Sequence, residues 1–397
     1  MTELLGLAGV FAGIAMGITG IVPFLHVNTI VELTSGYFAG SALQWFVVLL
    51  VFSRIPFEFI AGVKVIGSSQ DSVFSLHPFQ KLAQRGESKK ALILALSHCT
   101  AGMAVALLLF PVVSLAAPAV YPIAKQLTAA LLILIFGAFI LLNKNQLDAA
   151  TLACLAGALG IIVLEKNIAS NALFFLLSGL FAVPVLLEGV EEKQTSTQNK
   201  ELYKPQTIQT KPVQTQPRFF KSLAIVGGLI ALAAEFLPGI SVTILTALAL
   251  LFFNGKEEEF ISLNAAIIGG RAVGDFAALE FISKARSGAT AAIMENFSSY
   301  AFTTAIVQII VGTAAFAVLA WIALKIFDKV NFAWLEKKGI RLAIVLLLFA
   351  YAFLVDGTGG LIVLAVSSLV GLTALNFQCG RAVLSSVVVF PAIVKTI

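Results

Sequence analysis

Charge is the scarcest property of this 397-residue sequence: Asp, Glu, Lys and Arg supply 12% of it, where a soluble domain carries about 25%. Half of the usual solvated surface is missing, which argues against an ordinary soluble globular protein. Cysteine and histidine are also rare, with three of each. Cys99, Cys154 and Cys379 lie far apart in apolar surroundings, which argues against a disulfide framework. The scattered histidines argue against a zinc site. No metal and no cofactor is expected. The N-terminus lacks a basic n-region and a small-residue cleavage site. Residues 4–22 therefore read as a first membrane segment and not as a cleaved signal peptide. Net charge is +5, yet there is no basic stripe with interleaved aromatics to hold nucleic acid. Lysines in cytoplasmic loops account for the excess.

Apolar residues are what the chain has in quantity: 59% of the sequence, with a mean hydropathy of +0.98. Residues 127–142, 223–237, 301–324 and 341–354 form long runs almost without charge. A bilayer crossing needs about 20 such residues, and the segment lengths give about 10–14 crossings in all. The expected fold class is all-α, a polytopic transmembrane helical bundle in a prokaryotic cell membrane. The thirty-two phenylalanines read as packing and lipid-facing bulk.

One long polar stretch interrupts this pattern. Residues 188–218, EGVEEKQTSTQNKELYKPQTIQTKPVQTQPR, cannot bury enough apolar surface to offset their ordering entropy, and read as a disordered linker. The linker separates an N-terminal membrane repeat, 1–187, from a C-terminal one, 219–397. Pro23 follows an apolar helix, and Pro238 does the same in the second half. Arg54 and Glu58 are matched by Arg271 and Asp275, and Pro184 by Pro391. The proline and charge motifs that open the halves recur in one order at a spacing of about 215–217 positions, which argues for internal duplication. The basic residues Lys81, Arg85, Lys89 and Lys90, and those of 325–341, belong inside. That puts the linker inside, residues 116–122 and 356–360 in outside turns, and the C-terminus outside. The halves then have inverted topology.

In hydrocarbon every backbone polar group needs an internal partner, so a broken helix must be lined by protein or water. Pro23, followed by His26, Asn28 and Thr29, is one such break. Pro238 and Gly239, followed by Ser241 and Thr243, is the other. The half-helix beyond each break would offer free N–H groups to an anion, so these eight residues are the candidate substrate-binding set, facing each other near the midplane. The alternative is a pair of proline kinks capped by local hydroxyls. Arg54/Glu58 and Arg271/Asp275 stand at i, i+4 and can each meet on one helical face. A charge at the bilayer centre costs about 2.5–3.5 kcal/mol, so these groups either couple transport to Na+ or H+ or form structural ion pairs. Glu257–Glu259 read as a solvated helix start, and Lys284 and Arg286 as loop charges.

The runs GITGIVPFLHVNTI (17–30), SLHPFQKLAQRGE (75–87), LSGLFAVPVLLEG (177–189), EFLPGIS (235–241) and KARSGATAAI (284–293) together resemble the large membrane subunit of tripartite tricarboxylate transporters, in its archaeal-type branch. The resemblance spans nearly the whole chain. It implies a permease with broken or re-entrant helices that carries a small organic anion by ion-coupled symport. A small membrane subunit and an extracytoplasmic binding protein would be its partners, and a homodimer is compatible with it. The family pattern has Pro-Gly at both breaks; this chain keeps it at Pro238-Gly239 and has Pro23-Phe24 at the first. A carrier of polyprenyl phosphates is the rival reading. An intramembrane enzyme is the more distant one, because Gly274-Asp275 and Arg286-Ser287-Gly288 miss the protease signatures. No catalytic residue is expected.

Overall fold

A computed structural model describes residues 2–22, 27–64, 78–79, 82–83, 85–141, 143, 145–187, 217–236, 242–249, 257–296, 302–332, 334, 337–377 and 381–396. Residues 188–218, expected as a disordered linker, lie almost wholly outside the described residues. Those residues form an all-α protein. Its helices are α1 (Thr2–Gly17), α2 (Val27–Thr34), α3 (Ser41–Lys64), α4 (Ser88–Leu141), α5 (Gln146–Glu165) and α6 (Ala172–Leu177). After residue 216 come α7 (Pro217–Ala234), α8 (Val242–Ala249), α9 (Glu257–Ile282), α10 (Gly288–Asn296), α11 (Phe302–Ile326), α12 (Lys338–Asn376) and α13 (Ser386–Val394). Five helices are long and apolar enough to cross a membrane. The chain is a multi-pass helical membrane protein.

Helix lengths recur between the halves. A 16-residue α1, an 8-residue α2 and a 24-residue α3 are answered by an 18-residue α7, an 8-residue α8 and a 26-residue α9. Packing then crosses between halves in a reciprocal way. Helix α3 lies on α11 while α9 lies on α4, and α5 lies on α13 while α12 lies on α6. Such an exchange of like contacts is what a two-fold relation produces. As a result the two main cores do not coincide with the two sequence halves. One draws on α3, the start of α4, α9 and α11; the other on the end of α4, α5, α6, α12 and α13.

Small residues set the close contacts, because lipid gives helices no hydrophobic reason to associate and backbones must approach for dispersion to act. A Cβ on Gly102 of α4 would enter the Ala266 carbonyl of α9, and one on Gly269 would enter the Cys99 carbonyl. The second core repeats the device, with Gly160 against the Val387 carbonyl and Gly371 against that of Leu180.

Two turn expectations meet different fates. Residues 116–122, expected as an outside turn, are helical within the 54 residues of α4. Ala116, Ala117 and Ala119 favour helix, and no Gly, Asn or Asp is there to reverse the chain. At about 1.5 Å per residue α4 exceeds two bilayer cores, and it links the two packing cores. By contrast, α12 does break, at Gly357 with φ 58°. A positive φ is open to glycine at little cost. Just before it, the Asp356 carboxylate accepts the Ser170 and Asn171 N–H groups at 3.0 and 2.9 Å, so it caps α6 from another helix. Asp356→Ala is expected to cost about 1 kcal/mol, the usual worth of a cap, read as a lower unfolding temperature with transport competence retained.

One face is tied by charges from both halves. Lys89 reaches Asp328 at 2.8 Å, Lys90 reaches Glu258 at 2.6 Å and Arg85 reaches Glu257 at 3.7 Å. Lys64, the last residue of α3, donates to the carbonyl of Val330 at 2.6 Å and to that of Phe327. The two basic loops therefore meet, and Glu257 and Glu258 are paired instead of simply solvated. The C-terminal end of α3 and the N-terminal end of α9 share this face.

Candidate functional site

In the first half the site is assembled by glycine. Helix α1 runs on through a tight turn, Ile18–Ile21, and its Gly13, Gly17 and Gly20 lie so close to α3 that a Cβ on any of them would strike it. On Gly20 the obstacle is Arg54 itself, whose Cγ would be 2.8 Å away. Arg54 is buried, at 4% exposure. Its Nε donates to Glu58 Oε1, the i, i+4 pair read from the sequence, and its Nη1 donates to Thr19 Oγ1 at 3.1 Å. Thr19 in turn donates to the Met16 carbonyl at 2.5 Å. The arginine thus reaches back to the end of the helix that precedes the first proline.

The second half answers with a different set of partners. Arg271 does not take Asp275 as its hydrogen-bonded acid, as the i, i+4 spacing suggests. Its Nε donates to Oε1 of Glu235 at 3.0 Å. Glu235 directly follows α7, is 4% exposed, and would be left a bare buried anion without a cation. Gly274 makes the room, since a Cβ there would lie 2.8 Å from Glu235 Cγ. Asp275 has a donor of its own at the start of α10, Thr290 Oγ1 at 3.1 Å, and that oxygen accepts the Arg286 and Ser287 N–H groups at 3.1 Å each. Arg271 remains within electrostatic reach of Asp275.

Thr19 and Glu235 hold matching places, each a few residues ahead of a proline and each met by its half's arginine. One is a hydroxyl and the other a carboxylate, so the two ionic clusters share a plan and differ in charge. Of the residues expected at the breaks, Pro23, His26, Pro238, Gly239 and Ser241 lie outside the described residues. Asn28 and Thr29 fall in α2 and Thr243 in α8.

Two residues of this region escape the sequence reading. Glu235 stands inside the apolar run 223–237, where a lone acid ahead of a proline was the available signal. Arg286 looks like a loop charge because Ser283–Ser287 is indeed irregular, with Ser283 at φ 50°. Both carry buried polar atoms without hydrogen-bond partners: Oε2 of Glu235, and Nε and Nη2 of Arg286. Glu235 also borders a cavity between α4, α7 and α9, lined by Val113, Ala117, Leu232 and Gly274. The cavity has room for about one water molecule.

Compared with known proteins, residues 4–385 match the family model described as the tripartite tricarboxylate transporter TctA family. No curated protein and no solved structure matches.

Proposed function

The chain belongs to the tripartite tricarboxylate transporter TctA family, and from that premise we propose that it moves a small organic anion, in particular a carboxylate, by ion-coupled alternating access. The family is one of transporters, and its large subunit is a permease component. The cargo site of this reading lies where the helices preceding Pro23 and Pro238 end, near the midplane between two oppositely oriented repeats. The observation that carries it is the matched reach of Arg54 to Thr19 and of Arg271 to Glu235. Arg54 is buried and Arg271 half-buried, and each meets a residue at the end of the helix that precedes its half's proline, where a cation would act on an anion.

The inverted arrangement has its own support. Helices α3 and α9 are counterparts, yet the last residue of one and the first residues of the other are held at one face. Counterparts that run in opposite senses are what a two-fold axis in the membrane plane gives. In this reading that face and residues 188–218 are cytoplasmic, and the membrane is the cell membrane. A small membrane subunit and an extracytoplasmic binding protein are the partners that the family's systems suggest.

Glu58 and Asp275 are among the acids through which a Na+ or H+ gradient would act. Glu58→Gln and Asp275→Asn each remove one charge at constant shape. Each is expected to lower gradient-driven citrate uptake into proteoliposomes at least tenfold while the protein still inserts and stays monodisperse. Normal gradient-driven uptake in both variants would return these acids to a structural role.

A further inference from the structure

The second-half cluster is balanced in charge and unbalanced in hydrogen bonds. The groups that act electrostatically on Glu235 are Arg271, Asp275 and Arg286, so two acids face two arginines. Asp275 accepts from Thr290 Oγ1, whose oxygen takes the Arg286 and Ser287 N–H groups. Arg271 is engaged by Glu235 through Oε1. Three buried atoms are left over: Oε2 of Glu235, whose side chain is 5% exposed, and Nε and Nη2 of Arg286. Buried polar atoms without partners are uncommon in folded proteins and ask for an explanation.

The chemistry of the leftover atoms is specific. Nε and Nη2 are the two parallel donors on one edge of a guanidinium, the edge that matches the two oxygens of a single carboxylate. Glu235 Oε2 is a lone acceptor in the same cluster. A carboxylate seated on the Arg286 edge would bring one negative charge into a group that already sums to zero. One proton on Glu235 Oε2 restores neutrality and turns the unmet acceptor into a donor. Cargo and proton then complete each other.

We propose that the Arg286 Nε/Nη2 edge holds a carboxylate of the transported anion and that Glu235 Oε2 takes up the proton that travels with it. This rests on the permease reading and deepens it, assigning cargo contact and coupling to two residues that neither the breaks nor the i, i+4 pairs include. The one bond made is the O–H bond on Glu235 Oε2: the proton comes from water on the loading side, and the bond breaks to return it to water on the other side as the carboxylate leaves.

Citrate binding to the purified full chain in nanodiscs, followed by calorimetry between pH 5.5 and 8, tests it. Arg286→Lys keeps the charge and loses the paired donors. It is expected to weaken citrate binding at least tenfold while leaving the unfolding temperature of the empty protein unchanged or higher, because the wild-type donors are unmet. Arg286→Met, which also removes a positive charge from the cluster, is expected to lower the unfolding temperature where Arg286→Lys does not, which separates the ligand contact from the charge balance. Wild-type affinity is expected to fall about tenfold per pH unit at the alkaline end, as one linked proton requires, and Glu235→Gln to remove that slope. Unchanged citrate affinity in Arg286→Lys, or a slope that persists in Glu235→Gln, overturns the proposal and leaves the permease reading standing. Binding of inorganic phosphate with citrate silent overturns the carboxylate assignment. A wild-type protein that binds neither citrate nor phosphate removes both the proposal and the reading beneath it.

Discussion

Arg271→Leu is expected to abolish gradient-driven uptake and to destabilise the protein by about 3–5 kcal/mol, the cost of leaving one partner of a buried ion pair alone. The value should fall toward the lower end of that range, because the Arg271 side chain is 26% exposed while that of Glu235 is 5% exposed. The loss has two parts. Glu235 Oε1 forfeits its donor at 3.0 Å when Oε2 already has none, and Asp275 forfeits a neighbouring positive charge. Arg271→Leu combined with Glu235→Leu separates folding from function. Replacing a buried pair by apolar residues is often neutral or stabilising, so the double variant should regain most of the unfolding temperature. It should not regain uptake. Thermal unfolding and proteoliposome flux, measured on the same preparations, give both answers.

Gly102→Leu should have the larger effect on assembly. The α4–α9 contact joins the two sequence halves, and at Gly102 even a methyl group would collide with the Ala266 carbonyl. Gly269, facing the Cys99 carbonyl from the other helix, doubles the constraint, so neither backbone can yield without parting the helices. Overpacking costs about 1–3 kcal/mol where side chains can adjust; here the obstacle is backbone, and the expected result is loss of the monodisperse species in detergent. Gly137→Leu, on the same helix with nothing within 4 Å of the added carbon, should remain monodisperse and serve as the control.

Much of this organisation is legible in the sequence, and its gaps have physical causes. The membrane class follows from scarce charge, because a crossing segment tolerates so little of it. The Arg54–Glu58 pair follows from helical spacing alone, since four residues bring two side chains to one face. The same rule misleads at Arg271. Spacing along one helix cannot weigh Asp275 against Glu235, 36 positions earlier, and tertiary burial decides in favour of the acid that would otherwise lack a cation. Arg286 is invisible for a related reason: its backbone is loop, as its neighbours Ser283 and Ser287 suggest, yet Nε and Nη2 of its guanidinium are buried, which no local pattern announces. The continuity of α4 through residues 116–122 is a failure of another kind. Proline at 118 and 122 reads as punctuation, but alanine-rich helix tolerates it when no turn residue offers an alternative. The matched motifs are legible as spacing; that packing crosses between the two sequence halves is not, because reciprocal contact leaves no periodic mark on either half.

In the proposed mechanism the two halves face opposite ways across the membrane, so that matched arginines serve one cargo site. Side-specific thiol labelling tests it in a background where Cys99, Cys154 and Cys379 are replaced by serine. Single cysteines are placed at Ser196 in the linker, at Thr358 beside the α12 break and at Thr396. A membrane-impermeant maleimide added to intact cells should modify the cysteines at 358 and 396 and leave that at 196 untouched until the membrane is opened. Modification of 196 and 396 from the same side would contradict the inverted arrangement and, with it, the shared site.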